Sequence, residues 1–204
     1  MLYYERKLKK NGFDVVIGVD EAGRGPLAGP IVAAAVTLKE ASFKNRIDDS
    51  KKLTSSGRDK AFLEIVKKTD FGIGIVSEKV IDRLNIAVAN RLAMEQAVDS
   101  LINKLKHSKS NNIHIIVDGN IPLKLKFPYT NIIKGDSKSK SIACASILAK
   151  VTRDRIMDLY DKMYPQYRFS KHKGYGTKEH RDIIKRIGFS QIHRKTFSSC
   201  LGKI

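Results

Sequence analysis

An apolar run that ends at two adjacent acids is the feature of this chain that most constrains its fold. Residues 15–19 have the composition of a buried β-strand, and Asp20 and Glu21 follow them directly, before a glycine-rich turn that carries Arg24. Buried carboxylates are costly unless positive charge compensates them, and divalent cations prefer carboxylate oxygens. The segment therefore indicates either a strand that ends at an ordinary polar turn or a strand that carries metal ligands.

Hydrophobic patterning along the rest of the chain predicts an α/β protein. Apolar runs of strand length recur at residues 31–38, 71–76, 113–117 and 131–133. Helical spacing of apolar residues recurs at about residues 60–68, 86–106, 139–164 and 179–187. Ser55 or Ser56 is expected to cap the first of these helices, and the alternating glycines of 71–76 indicate close backbone approach. Because the early strands follow one another and the later ones alternate with helices, we expect a mixed sheet.

Three of the predicted strands are followed by acids that lie near a glycine. Asp20 and Glu21 follow the first strand, Asp118 follows the fourth and Asp136 follows the fifth. Adjacent strands would bring these four carboxylates together, and they could not all ionise without cations because like charges raise each other's pKa. The pattern predicts a site for two Mg²⁺ or Mn²⁺ ions about 4 Å apart, an arrangement that hydrolyses phosphodiesters.

Net charge is the strongest compositional signal. The chain has 39 Lys and Arg against 21 Asp and Glu, which gives a formal charge of +18. The lysines are spread along the whole chain, which is typical of a folded surface that meets a polyanion in several places. A lysine-rich proteome would give the same excess without such a partner.

Several other classes of protein are not expected. No run approaches the roughly 20 apolar residues of a membrane span, and the charged N-terminus does not have the pattern of a secretion signal. Two cysteines, Cys144 and Cys200, cannot build a disulfide framework, and Cys144 is expected to be a small buried residue. No histidine and cysteine spacing matches a zinc site, and Gly23-x-Gly25 is too short for a dinucleotide loop. We expect a cytoplasmic protein.

Six motifs occur in order along the chain, and they are DEAGRGPLAGP (20–30), DSKKL (49–53), VDG (117–119), KGDS (134–137), SILAKVTRD (146–154) and HKGYGT (172–177). A seventh, HRxxF, follows at 193–197. Together they resemble the motifs of type 2 ribonucleases H, and of bacterial ribonuclease HII in particular. Cys144 is a difference, because the family more often has alanine there. Asp154 lies inside a predicted helix beside Arg153, and we interpret it as an ion-pair residue.

The resemblance implies a ribonuclease H-like fold, with a mixed five-stranded sheet flanked by helices. It implies one domain over residues 1–204, in which residues from about 155 to 204 form a helical segment that helps to clamp the substrate. The implied activity is cleavage of RNA within RNA–DNA hybrids and incision 5′ of single ribonucleotides in duplex DNA, leaving 3′-hydroxyl and 5′-phosphate ends. We expect a monomer. The metal-binding catalytic acids would be Asp20, Glu21, Asp118 and Asp136.

A nuclease of this kind must detect the 2′-hydroxyl, which distinguishes RNA from DNA at the cleavage site. By resemblance, Gly23, Arg24 and Gly25 form a backbone sensor that approaches the sugar closely, and Arg24 can grip a flanking phosphate. Tyr175 resembles the residue that stacks on the deoxyribose after the ribonucleotide. The lysines that are candidates for phosphate contacts are Lys51, Lys52, Lys150 and Lys173.

Two other functions are compatible with parts of the pattern. A non-catalytic protein that binds structured RNA would need the positive charge, but four converging carboxylates would repel phosphate without metal. A different two-metal nuclease on the same kind of sheet would cut DNA junctions. Cleavage at a lone ribonucleotide, with an all-DNA duplex left intact, separates these functions from the first.

Overall fold

The computed structural model describes residues 1–105 and 112–197, in which five strands form a mixed sheet. The strands are β1 Val15–Ala22, β2 Ile31–Leu38, β3 Thr69–Val76, β4 Ile113–Asp118 and β5 Tyr129–Ile132. They lie in the order β3-β2-β1-β4-β5. Strand β2 is antiparallel to both β1 and β3, whereas β4 is parallel to both β1 and β5. The predicted mixed five-stranded sheet is confirmed.

Four strands have boundaries that differ from the prediction. Strand β3 begins two residues earlier, at Thr69, and β4 ends one residue later, at Asp118. Strand β1 continues through Asp20 and Glu21, because these residues pair with Ala34 and Ala33 of β2. The first two acids therefore belong to the strand and not to the turn after it. Strand β5 begins earlier than predicted and excludes Ile133, whose side chain is exposed.

The α-helices of the described residues are α1 Tyr3–Lys10, α2 Ser55–Lys68, α3 Glu78–Leu105, α4 Lys140–Met163, α5 Phe169–His172 and α6 Lys178–Ile187. Four of them correspond to the predicted helices, whereas α1 and α5 were not predicted. Both are short, and α1 is too rich in charge to show a clear apolar stripe. The predicted end of α3 at residue 106 lies outside the described residues.

The helix starts show how local hydrogen bonds set the boundaries. The predicted cap of α2 is wrong, because Thr54 is the extended residue and its hydroxyl accepts the Gly57 N–H. Ser139, the first residue of the predicted helix 139–164, caps α4 and accepts from the Ile142 N–H. Helix α3 starts before the predicted residue 86 but is kinked next to it, at Asn85, which has a positive φ of 65°.

The core has two layers, one on each face of the sheet. Helix α3 packs on one face, where Gly72 and Gly74 of β3 leave room for its backbone to approach closely, as predicted. Helices α2 and α4 pack on the other face, where Cys144 is buried. Cys200 lies outside the described residues. No helix in the described part of the chain has the length and hydropathy needed to cross a membrane.

The C-terminal segment packs against the loop between β1 and β2, residues 23–30, called here the glycine loop. A third apolar cluster joins Ala28 of this loop to residues of α4, α5, α6 and the segment after it. Ala28 also pairs with His193 in an isolated bridge, and the Leu27 N–H donates to the Gly174 carbonyl at 2.8 Å. The C-terminal segment thereby fixes the loop that follows the first two acids.

Candidate active site

Strand order brings three of the predicted acids together. Strands β1 and β4 are parallel neighbours, so Asp20 and Asp118 lie at the same edge of the sheet. Asp136 lies in a short 3₁₀ helix, Gly135–Ser137, which follows β5 beside β4. One carboxylate oxygen from each of the three lies within 4.8 Å of the others. We call these residues the acid triad.

Glu21 lies beside the acid triad but is not part of it. Successive side chains of a strand point to opposite faces, so Glu21 diverges from Asp20. Its Oε1 lies 3.6 Å from Arg24 Nη1, and it lines the same cleft as Asp20 and Asp118. Burial raises the pKa of Glu21, the Asp118 charge adds to this, and Arg24 opposes it.

The described side chains compensate the charge of the acid triad only in part. Asp20 and Asp136 are only 5% and 7% exposed. Burial, together with the charges of Glu21 and Asp118, raises the pKa of Asp20 well above its usual value. Burial and the Asp118 charge also raise the pKa of Asp136, while Lys51 opposes this. A bound cation would relieve this repulsion.

Hydrogen bonds orient two of the triad carboxylates. The Glu21 N–H donates to Asp20 Oδ1 at 2.7 Å, and the Gly135 N–H donates to Asp118 Oδ1 at 2.6 Å. Ser146 of α4 also faces Asp20 and lowers its pKa, and the Ser146 hydroxyl donates to Ser50 Oγ at 3.0 Å. The role of Ser146 was not predicted, and its signal in the sequence is a serine among the apolar residues of a helix that faces the sheet.

A cleft of about 520 Å³ opens over Asp20 and Asp118. Its lining includes the first residues of the glycine loop, Lys51, Lys150 and the Tyr175 side chain, which is 43% exposed. The structure thus brings the predicted substrate residues to the same cleft as the acids. Lining residues that were not predicted as site residues are Ala22, Ser50, Ile86, Ser146 and Phe197. All of these except Ile86 lie in the motifs given above and could have been found from them.

The two glycines of the predicted sensor differ in their surroundings. Gly23 has a φ of +105°, and a Cβ there would collide with the Arg153 side chain and the Pro30 carbonyl. The fold itself therefore requires glycine at position 23. Gly25 lines the cleft and has no atom of a neighbouring residue within 4 Å of the position where a Cβ would lie.

Two buried arginines hold the carbonyl groups of the glycine loop. Arg194 donates to the carbonyls of Gly23 and Arg24 at 2.6 and 3.0 Å, and to those of Gly29 and Pro30. Arg153 donates to the carbonyls of Ala28, Pro30 and Lys173. Neither arginine was predicted to have this role, because nothing in a linear sequence shows which carbonyls a distant side chain will meet.

The four candidate lysines are held in different ways. The pKa of Lys51 is lowered by burial but raised on balance by Asp49, Asp20, Asp136 and Asp118, so its ammonium group faces the acids. The other three form ion pairs, Lys52 with Asp48, Lys150 with Asp154 and Lys173 with Asp158. The ion-pair interpretation of Asp154 is confirmed, with Lys150 as the partner.

The donor set fits a hard divalent cation. Carboxylate oxygens are the ligands that Mg²⁺ and Mn²⁺ prefer, and the acid triad supplies no nitrogen or sulfur ligand. Lys51 and Lys150 add positive charge at the wall of the cleft, where a phosphate backbone would lie. An α/β fold with a cluster of carboxylates and a basic cleft wall places the chain in the class of metal-dependent nucleases.

Comparison with known proteins gives the family. The family model for ribonuclease HII matches residues 17–200. Ribonuclease HII of Syntrophus aciditrophicus is 47% identical over 199 residues, which cover 97% of this chain and 90% of the relative. Ribonuclease HII of Caldanaerobacter subterraneus subsp. tengcongensis is 49% identical over 97% of this chain and 79% of the relative.

Solved structures agree with this result. Ribonuclease H2 from Pyrococcus horikoshii OT3 matches with a TM-score of 0.71 and 28% identity, over 89% of this chain and 93% of that protein. The RNase HII of Archaeoglobus fulgidus, solved in complex with PCNA, has the same fold, with a TM-score of 0.73, 23% identity and coverage of 93% and 97%. The predicted ribonuclease H-like fold is confirmed.

The chain belongs to the ribonuclease HII family. It is a metal-dependent endoribonuclease with ribonuclease H activity, and it acts on nucleic acid. The predicted family and the predicted enzyme class are confirmed.

Proposed function

We propose that this enzyme cleaves the RNA strand of RNA–DNA hybrids and also incises duplex DNA on the 5′ side of single embedded ribonucleotides. The products carry 3′-hydroxyl and 5′-phosphate ends. The observation that carries the proposal is that Gly25, which has open space where a Cβ would lie, lines the same cleft as Asp20 and Asp118 of the acid triad. A ribose can approach the main chain closely at Gly25, and a sensor of the 2′-hydroxyl needs that approach.

We assign Asp20, Glu21, Asp118 and Asp136 to a pair of divalent ions, Mg²⁺ or Mn²⁺. When bound, these ions would activate a water for attack and stabilise charge on the departing 3′-oxygen. Glu21 would join the acid triad by leaving Arg24, which would free that guanidinium for a phosphate. A structure of Bst-RNase HIII in complex with Mn²⁺, a protein of the same fold, supports this choice of metals.

Recognition of the ribonucleotide is assigned to the glycine loop and Tyr175. The amides and carbonyls of Gly23, Arg24 and Gly25 would bond the 2′-hydroxyl, while the Tyr175 ring would stack on the next sugar. Support comes from the position of Tyr175, which lines the same cleft as Gly25 and leaves much of its ring exposed. Lys51 is the preferred phosphate contact, because Lys52, Lys150 and Lys173 are each held in an ion pair, whereas Lys51 forms none within the described part of the chain.

The C-terminal segment is assigned to substrate clamping within a single domain. Its described part, from about residue 155 to Phe197, holds Tyr175 and packs on the glycine loop. The last residues, 198–204, lie outside the described residues. We further propose a monomer that works in the cytoplasm, where its buried Cys144 thiol would stay reduced.

One labelled duplex tests the activity. A DNA duplex with a single ribonucleotide should be cut once, 5′ of that residue, in Mg²⁺ or Mn²⁺, and an all-DNA duplex should stay intact. Excess chelator should abolish the cut. Cleavage of the all-DNA duplex, or of a DNA junction alone, would favour the rival nuclease, and activity in chelator would contradict the metal assignment.

Tyr175→Ala tests the assigned recognition. Loss of one stacking contact should reduce kcat/KM at a single ribonucleotide by about tenfold to hundredfold, with little change in the free energy of unfolding. Tyr3→Ala is the matched control, since Tyr3 is an exposed tyrosine on α1. Equal activity of the two variants would remove Tyr175 from the site.

A further inference from the structure

Three buried histidines lie behind the cleft and have no part in the chemistry proposed above. His172, His180 and His193 are 7%, 0% and 2% exposed, and their rings pack around Phe169. Each ring uses both nitrogens in contacts with the protein. Their contacts include the backbone of the segment that carries Tyr175.

The hydrogen bonds of two of these rings fix where their protons lie. The Ser190 N–H donates to His193 Nδ1 at 2.8 Å, so the proton of the neutral ring is on Nε2. His193 Nε2 lies 3.0 Å from His180 Nε2 and must donate to it. His180 therefore carries its proton on Nδ1, which donates to the Tyr175 carbonyl oxygen at 2.9 Å. The chain of bonds has one direction, from Ser190 to Tyr175, and we call it the histidine relay.

His172 holds the same segment from its other side. The Gly174 N–H donates to His172 Nδ1 at 3.2 Å, so His172 Nε2 donates to the Tyr167 carbonyl at 2.9 Å. The Tyr175 N–H donates to the His172 carbonyl at 2.9 Å. The rings of His172 and His180 stack, with centroids 4.2 Å apart. The amide and the carbonyl of Tyr175 are thus both bonded to histidine residues, and the carbonyl also accepts the Thr177 N–H at 2.8 Å.

The histidine relay needs neutral rings. A protonated ring donates from both nitrogens, so protonating His180 or His193 would set two N–H groups against each other. Burial lowers the pKa of all three histidines, that of His180 to about 4 and that of His193 to about 3. At neutral pH the rings therefore serve as fixed donors and acceptors.

Tyr175 depends on such outside support. Its neighbours are Gly174, with a φ of +81°, and Gly176, and glycine restrains the main chain less than any other residue. Its ring is partly exposed, with Lys150 Nζ and the Arg153 guanidinium each 5.8 Å from the centroid. Side-chain packing alone leaves the height of this ring above the cleft poorly fixed.

We propose that His180 and His193 are positioning residues, which hold the Tyr175 main chain so that its ring meets the sugar at one height. This inference rests on the proposed function, because it takes Tyr175 to contact the sugar beside the ribonucleotide. It adds that incision at a lone ribonucleotide depends on two residues that never touch the substrate.

Two substitutions of one residue separate positioning from folding. In His180→Asn, the side-chain amide lies where Nδ1 was and still donates to the Tyr175 carbonyl, whereas in His180→Gln it lies nearer to Nε2 and does not. We expect His180→Gln to reduce kcat/KM at a single ribonucleotide by about tenfold, and His180→Asn by less than about threefold. The free energy of unfolding is measured for both by urea titration.

His114→Asn is the matched control for loss of a buried histidine's hydrogen bond, because the shorter amide does not reach the partner of Nε2. His114 lies on β4, and its Nε2 is 2.9 Å from Thr130 Oγ1, outside the cleft and the histidine relay. It should lose stability without a change in kcat/KM for the folded enzyme. If His180→Gln fails to fold, His193→Asn replaces it. This variant keeps the acceptor for Ser190 but removes the donor that fixes the proton of the His180 ring on Nδ1, a constraint that the amide of His180→Asn does not need.

A double substitution tests whether His180 acts through Tyr175. In a Tyr175→Ala background, His180→Gln should change kcat/KM by less than about twofold, because the group it positions is gone. A full additional loss there would overturn the inference. So would a normal kcat/KM for His180→Gln while Tyr175→Ala is impaired, and the proposed function would then stand. If Tyr175→Ala itself has normal activity, the assigned role of Tyr175 fails and the inference fails with it.

Discussion

Asp20 and Asp136 of the acid triad and the basic residues behind the glycine loop, Arg194, His180 and His193, are all buried. The two regions differ in how far hydrogen bonds to the protein satisfy their polar groups. In the acid triad, burial and mutual repulsion raise the pKa of Asp20 and Asp136. In the second region, the guanidinium of Arg194 donates to several main-chain carbonyls, and the buried rings of His180 and His193 stay neutral.

The difference separates a site that needs a ligand from one that needs none. The negative charge of the acid triad favours binding of a cation from solution. Polar side chains that are bonded to the main chain add rigidity, and here these bonds are directed at the glycine loop and Tyr175. The basic residues therefore support the acid triad by fixing the glycine loop and Tyr175 beside it.

Asp118→Asn should have the largest effect of any change in the cleft. We expect cleavage to fall by at least about a thousandfold, with substrate affinity changed only a few-fold, because a metal ligand is lost and no phosphate contact is. Single-turnover kinetics and a binding titration measure the two effects. Metal-free stability should rise or stay equal, since the Asp118 charge raises the pKa of Asp20, Glu21 and Asp136. Wild-type cleavage rates in this variant would end the metal assignment.

Arg194→Met should have the largest effect on the second region. It leaves the carbonyls of Gly23, Arg24 and Gly29 without their buried donor, and we expect a loss of about 3–4 kcal/mol in the free energy of unfolding. Chemical denaturation measures this. Arg24→Met is the control, with an expected change within about 0.5 kcal/mol, because the Arg24 side chain is 59% exposed. Similar values for the two variants would show that the carbonyl contacts contribute little.

Acid should destabilise the second region before it affects the ion pairs at the surface. The pKa values of His180 and His193 are about 4 and 3 in the folded protein, against 6.5 as the ordinary value. The unfolded chain therefore binds more protons below pH 6.5, and stability present above that pH is lost as the pH falls. By pH 5 we expect a loss of about 2 kcal/mol for each histidine. Urea titrations at pH 7, 6 and 5 measure it, and a flat profile would contradict the neutral rings.

Substitutions of Gly23 and Gly25 should have the smallest effects, and they should separate stability from incision. Gly25→Ala should leave the unfolding free energy unchanged and reduce incision at a ribonucleotide by about tenfold, because the added methyl group occupies only the space kept for the sugar. Gly23→Ala should instead destabilise the protein through its positive φ and the contact with Arg153. Thermal unfolding and kinetics of both variants test the contrast. Normal incision by Gly25→Ala would place the sugar elsewhere.

Most of the sheet and the acids could be predicted from the sequence, because strands and their ends are local features. The run before Asp20 and the positions of Asp118 and Asp136 depend on hydrophobic pattern and turn residues, which act over a few positions. The predicted cap of α2 failed by one residue, since capping depends on which of several adjacent hydroxyl residues is extended. Helix α1 was missed because its sequence is dominated by charge.

By itself, the sequence determined an α/β protein with acids at three strand ends, a strongly basic surface and the motifs of its family. Only the tertiary structure decided that Glu21 pairs with Arg24 beside the acid triad, and that Arg194 and the histidine relay hold the glycine loop and Tyr175. The physical reason is the separation along the chain between the residues that interact. Patterns within a few residues encode secondary structure, whereas the bond from Arg194 to Gly23 joins residues 171 positions apart and exists only once the sheet and the C-terminal segment have packed.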